Sequence, residues 1–207
     1  MNSDSPLTFD AVLLAGGRSR RMGSDKALLA TPSGEPLWQR QWKLLGEAGA
    51  GRRWLSVRVD QAWVPPDVLT VRDSQPDAGP LAGVIAAWEA SAATYLLVLA
   101  VDLPDLPAGW MIRLRQLARP DCGVAGRHPG GQFEPLAAVY PRSWLPQWAG
   151  ALRQGNSGLQ RLLLEAFEGE RLHAEAIRPE EAPWFHNLNS PVDLRNAMGL
   201  ARPGWEE

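Results

Sequence analysis

Residues Phe9-Asp10-Ala11-Val12-Leu13-Leu14-Ala15 form an apolar run closed by Gly16-Gly17, a pattern that predicts a buried first strand ending in a tight turn. A polar stretch follows from Arg18 to Lys26. Behind Pro36, the positions Leu37, Gln41, Leu44, Leu45 and Ala48 recur at helical spacing until Gly49 and Gly51 end the helix. Trp38 and Trp42 stand one turn apart, and stacking along a helix face that packs on the sheet is expected of them. Trp54 to Val59 reads as a second strand and Val68 to Val71 as a short third. Gly79-Pro80 opens a helix from about Leu81 to Ala92. Tyr95 to Val101 is continuously β-favouring, as a central strand covered on both faces should be. A helix is expected from Pro107 to about Ala118, a strand over Phe133 to Tyr140, and helices over Ser143 to Leu152 and Leu159 to Phe167. Arg171 to Ile177 should be a last strand and Pro191 to Met198 a closing helix. Gly126 to Gly131 reads as a flexible loop.

Strands alternating with helices imply βαβ units and an α/β fold: one Rossmann-like open, mostly parallel sheet flanked by helices. At 207 residues the chain fits a single domain, and no internal repeat or long linker divides it. A net charge of −2 argues against a dedicated nucleic-acid or membrane-surface binder. The single cysteine, Cys122, excludes an intramolecular disulfide and a thiolate zinc site. No apolar run could span a bilayer and the polar Met1 to Pro6 has no signal-peptide core, so a soluble cytoplasmic protein is expected. Lys26 and Lys43 are the only lysines among 21 basic residues, which draws attention to where they stand.

The first βα loop, from Leu14 to Lys26, is neither a Walker A loop nor a dinucleotide fingerprint. It has the physics of a phosphate cradle all the same: glycines let backbone amides approach an anion, while arginines and Lys26 supply charge. An ordinary glycine turn followed by a solvated basic stretch accounts for it equally well. Asp102 leaves the end of the apolar strand in the crevice where open α/β sheets bind ligands. It reads either as a Mg²⁺ ligand beside phosphates or as a cap on the following turn or helix. Asp73 has a weaker claim of the same kind. Asn187 and Asn189 flank Leu188 just before a predicted helix; capping explains one of the two amides. His128, His173 and His186 share no metal spacing and read as surface or loop residues.

Four elements in this order, LAGGRSRRMGSDKALL, GPLAG at Gly79 to Gly83, Asp102 with Leu103-Pro104, and NLNSPVDL at 187 to 194, resemble the molybdenum cofactor guanylyltransferase family. That family has the nucleotide-diphospho-sugar transferase-like fold, and the resemblance runs from about Asp10 to Met198. It implies GTP and molybdopterin as substrates and Mg²⁺ as cofactor, with molybdoenzymes or cofactor-delivery proteins as further partners. It also implies that Leu14, Ala15, Gly16 and Gly17 line the guanine and ribose side, while Arg21, Gly23 and Lys26 hold the triphosphate. Asp73 would lie near the nucleoside and Asp102 would bind the metal, with Arg21, Lys26 and Asp102 as the catalytic set. Asn187, Asn189 and Pro135 would face the acceptor. The nucleotide half would then cover about 8–120 and the acceptor half about 121–200.

The chain departs from the family in places. Ser56-Val57-Arg58 stands where the family often has asparagines, one of which contacts the nucleotide. Ala100-Val101-Asp102 replaces Pro-Cys-Asp, and Glu134-Pro135-Leu136 replaces a His/Gln-Pro-Thr/Leu motif. Two other functions stay open: a transferase of the same fold using CTP on the same cofactor, or an NTP on a sugar phosphate, and a non-catalytic nucleotide-binding adaptor. The Leu-Ala-Gly-Gly start speaks against the cytidylyl branch, which tends to read Leu-Ala-Ala-Gly.

Overall fold

The computed structural model describes residues 6–17, 25–72 and 79–188. Its strands are β1 (Phe9–Leu14), β2 (Arg53–Val57), β3 (Thr70–Arg72), β4 (Tyr95–Ala100), β5 (Gly123–Arg127), β6 (Phe133–Pro141) and β7 (Leu172–Ala176). Its helices are α1 (Leu37–Glu47), α2 (Pro80–Ala90), α3 (Ala108–Leu117), α4 (Leu145–Arg153) and α5 (Leu159–Glu168). The strands form one seven-stranded sheet in the order β3-β2-β1-β4-β6-β5-β7. Four of the six neighbouring pairs are parallel, and β6 runs antiparallel to both β4 and β5. The mostly parallel α/β sheet expected from the alternation is therefore present, with one reversed strand.

Two apolar layers enclose the sheet. Ala11, Leu13, Leu55, Leu97, Leu99 and Val139 pack under α1 and α3, and Val12, Leu96, Val98, Ala138 and Tyr140 pack under α2, α4 and α5. That division is the period-two alternation of strands buried on both sides. Most tryptophans fill these layers. Trp88, Trp144, Trp148 and Tyr140 form one aromatic cluster in the second layer. Trp38 and Trp42 meet edge-on at 66° rather than stacked, and Trp38 also packs on Trp63.

The GPLAG segment shows why its glycines are where they are. Gly79 precedes α2 at φ 72°, a conformation that disfavours any side chain. Gly83 lies against β1 and β2, where a Cβ would sit 2.8 Å from Leu14 Cδ2 and still closer to Ser56 Oγ. Ser56 is buried beneath α2, so a small side chain at this point of β2 is a packing requirement.

One expectation needs correction. The stretch from Gly126 to Gly131 is not one flexible loop: Gly126 and Arg127 belong to β5, which periodicity missed because GVAGR carries two glycines. Only the tip is a turn, closed by the His128 amide donating to Gln132 O and the Gly131 amide to His128 O, both at 2.8 Å. The closing helix expected over 191–198 lies outside the described residues.

Candidate active site

The pairing directions bring one set of strand ends to a single edge. The C-terminal ends of β1, β2, β3 and β4 meet there, together with the N-terminal end of β6 and the C-terminal ends of β5 and β7. Such an edge is where open α/β sheets bind ligands.

On its parallel side, β1 runs into Ala15-Gly16-Gly17, and Asp25 precedes a single 3-10 turn over Lys26–Leu28. Asp25 caps that turn, its Oδ1 accepting from the Ala27 amide at 3.1 Å. Its Oδ2 accepts from Gln61 Nε2 at 2.6 Å and from Trp63 Nε1 at 2.7 Å. The neighbouring side chain, Lys26, reaches across the crevice to Asp102, with Nζ 3.4 Å from Oδ2. Both are largely enclosed, at 18% and 26% exposure, so their charges interact through little intervening water.

Asp102 does not cap α3. That helix begins at Ala108 with Pro107 as its N-cap, and no side chain bonds its first turn. The Asp102-Leu103 turn is instead held from α1, where buried Gln41 donates through Nε2 to Leu103 O and Arg40 through Nη2 to Leu106 O at 3.3 Å. The Asp102 carboxylate is thereby left pointing at Lys26 and the crevice.

On the other side the sheet splits. The ladder between β4 and β6 stops at Leu99↔Ala137, and the partners of β5 jump from Ala138 to Glu134 across a bulge. Pro135 and Leu136 thus leave the ladder at the level of Asp102. Tyr140 Oη donates to Pro135 O at 2.7 Å and Trp110 Nε1 to Ala137 O at 3.0 Å, pinning the bulge from both layers. Glu134 faces His128 across the hairpin, Oε1 to Nε2 at 2.6 Å. Burial raises the Glu134 carboxyl above its usual range; His128 pulls it back and the Asp102 charge raises it further.

The segment after β7 completes this wall. Glu181, 1% exposed, accepts from Arg113 Nη1 at 2.8 Å and from Arg178 Nη2 at 2.6 Å. Burial alone would raise its pKa, but these hydrogen bonds, with one from the Arg178 amide, bring it down to about 2. The staple holds the 3-10 segment Pro179–Phe185 against α3, with Phe185 packed edge-on to Trp110 and to His128. Beyond it the Leu188 amide donates to Asp102 O at 2.9 Å, which brings Asn187 to the crevice.

The profile of the MobA-like NTP transferase domain matches residues 11–172. The chain belongs to this family. It is 43% identical over 185 residues to a probable molybdenum cofactor guanylyltransferase of Opitutus terrae, covering 87% of this chain and 90% of that one. A protein of the same description from Deinococcus radiodurans is 33% identical, covering 97% and 98%. Among solved structures, molybdopterin-guanine dinucleotide biosynthesis protein A of Archaeoglobus fulgidus superposes with a TM-score of 0.72 at 21% identity, covering 92% and 97%. A Thermus thermophilus 2-C-methyl-D-erythritol 4-phosphate cytidylyltransferase does so at 0.66 and 20%, covering 94% and 98%. The fold is that of the nucleotide-diphospho-sugar transferases, and the protein is a nucleotidyltransferase.

Of the residues singled out in this transferase, Gly16, Gly17, Lys26 and Asp102 come together at this edge, where Leu14 and Ala15 end β1 with their side chains in the core, and Pro135 and Asn187 lie on the side of Asp102 away from β1. Arg21, Gly23, Asp73 and Asn189 lie outside the described residues. His128, expected to be an ordinary loop residue, pairs with Glu134 at the site, and no sequence spacing signals a pair created by a hairpin. Gln61 and Trp63 were also missed, and Arg58 was noted only as a departure from the family, because they reach the first loop and Asp25 from the segment after β2.

The donors suit Mg²⁺ shared with a substrate. Asp102 offers one hard carboxylate, and among the described residues no group of three or more metal-binding side chains forms a closed cage. Mg²⁺ commonly takes one or two carboxylates and completes its shell with phosphate oxygens and water. No helix among the described residues is long and apolar enough to cross a membrane.

Proposed function

We propose that the protein transfers a guanylyl group from GTP to the terminal phosphate of molybdopterin, releasing pyrophosphate, in the cytoplasm. The observation that carries this reading is Lys26 facing Asp102 at 3.4 Å across the mouth of the glycine loop. A cation and a carboxylate so placed can hold a triphosphate and its metal together. The relatives of 43% and 33% identity support the choice of substrates through their names.

A phosphate oxygen of the acceptor forms the new bond to the α-phosphorus of GTP, and the bond from that phosphorus to the bridging oxygen breaks as pyrophosphate leaves. A phosphate monoester already carries the attacking charge near neutral pH, so the protein needs no strong base. Its work is alignment and charge neutralisation. Asp102 would hold Mg²⁺, which supplies Lewis-acid stabilisation of phosphate charge when bound. Lys26 would bind the triphosphate, joined by Arg21 and the Gly23 backbone, with Asp73 near the nucleoside. Residues about 8–120 would serve the nucleotide and about 121–200 the acceptor, where Asn187, Asn189 and Pro135 would face the pterin. The finished cofactor would pass to a molybdoenzyme or a delivery protein.

The test is pyrophosphate release from each of the four NTPs with molybdopterin and Mg²⁺. GTP should be used best. A kcat/KM favouring CTP would move the protein to the cytidylyl branch, and no release with any NTP would overturn the assignment.

A further inference from the structure

Three successive carbonyls of the first loop are occupied by side chains from the segment after β2. Ala15 O accepts from Gln61 Nε2 at 3.0 Å, and Gly16 O and Gly17 O accept from Arg58 Nη1 at 3.1 and 2.9 Å. The two clamping side chains are themselves fixed. Gln61 Oε1 accepts from the Arg58 amide at 2.6 Å, and its Nε2 also donates to Asp25 Oδ2, so one buried amide ties residue 15 to residue 25. Arg58 Nε is paired with Asp60 at 2.9 Å, and Arg72 Nη1 donates to Arg58 O and Val59 O at 3.1 and 2.9 Å.

In a trans peptide the carbonyl of one residue and the amide of the next point in opposite directions, and no described peptide bond is cis. With Ala15 O turned to Gln61, the Gly16 N–H points away from the clamp; with Gly16 O turned to Arg58, so does the Gly17 N–H. Neither amide donates to a described residue, whereas the Ala15 amide is used in the sheet, donating to Ser56 O at 2.9 Å. Consecutive outward amides form a donor surface for an oxygen ligand. The same loop with its carbonyls released could turn acceptors outward instead.

We propose that Arg58 and Gln61 are specificity-determining positioning residues: by occupying these carbonyls they leave Gly16 and Gly17 as donors that read the keto oxygen of a purine, and so disfavour bases lacking it. This rests on GTP being the substrate. It also gives a role to Arg58, at a position where the family often has asparagine.

The test measures Kd by calorimetry, without acceptor, for GTP, ITP and 2-aminopurine riboside triphosphate. GTP and ITP carry the keto oxygen and the analogue does not. Wild type should prefer the two keto nucleotides over the analogue. Arg58→Ala should weaken GTP and ITP roughly tenfold, the scale of one or two lost hydrogen bonds, and the analogue much less. Arg58→Lys, with one ammonium for two carbonyls, should fall between. Gln61→Leu should act in the same direction, and amide exchange across residues 13–17 without nucleotide should quicken in each variant.

Equal weakening of all three nucleotides would mean that the amides serve phosphate oxygens, and would overturn the base reading. Unchanged affinities and exchange would remove the clamp altogether. A wild-type chain that binds no GTP would overturn the proposed function and the base reading with it. Normal GTP binding with an unaltered preference in the variants would overturn the base reading alone.

Discussion

The two halves of the site are built from different materials. On the β3-β2-β1-β4 side every strand runs the same way, so C-terminal strand ends arrive together and present mostly backbone, the glycine loop with its occupied carbonyls, beside one lysine facing one aspartate. On the β6-β5-β7 side the reversed strand β6 enters with its N-terminal end, broken by a bulge, and presents Glu134, paired with His128 from the hairpin turn and packed near Phe185. A wall of backbone suits a ligand common to many proteins, such as a nucleoside triphosphate. A wall of side chains can be rebuilt for each acceptor while the sheet stays the same, which is how one fold serves several transferases.

The sharpest way to break the comparison is at Asp102. Because α3 begins at Ala108 without using it, Asp102→Asn should leave the melting temperature near that of wild type while kcat/KM for pyrophosphate release falls on the order of 100-fold or more. Normal turnover with ordinary Mg²⁺ dependence would return Asp102 to a structural role. Lys26→Ala comes next, with a loss of roughly 10- to 100-fold in kcat/KM, the scale of a charge-assisted hydrogen bond to phosphate. Activity within about twofold of wild type would remove it from the triphosphate site.

Effects on the other half should appear first as stability. Glu181→Gln should cost on the order of 3 kcal/mol in urea melts at neutral pH, since two arginines lose a buried carboxylate. The folded pKa, about 2, lies below the ordinary value of 4.5. The stabilisation is therefore complete above about pH 4.5 and is lost as pH falls towards 2. The gap between wild type and variant should narrow over that window; a gap independent of pH would show that the carboxylate charge is not what holds the segment.

The smallest expected effect separates the two halves most cleanly. Glu134→Gln keeps the shape of the His128 pair but removes its charge beside Asp102. The KM for molybdopterin should shift by about threefold to tenfold while the Kd for GTP stays within about twofold. A variant that weakens GTP instead would place Glu134 on the nucleotide side.

The apolar runs determined β1 and β4, and the glycine and proline punctuation determined the starts of α1 and α2, because burial on both faces and restricted φ act locally. The Lys26 and Asp102 candidates were also legible, one ending a glycine loop and the other ending a central strand, since a parallel sheet carries such positions to one edge. Only the tertiary structure decided that β6 is reversed, that GVAGR is a strand, and that Asp102 is held by Gln41 from α1 rather than spent on a cap. It alone joined His128 to Glu134, and Arg58 and Gln61 to the carbonyls of residues 15 to 17. Strand direction and side-chain reach between segments some 40 residues apart depend on how separate elements pack. Neither leaves a period or a spacing in the chain.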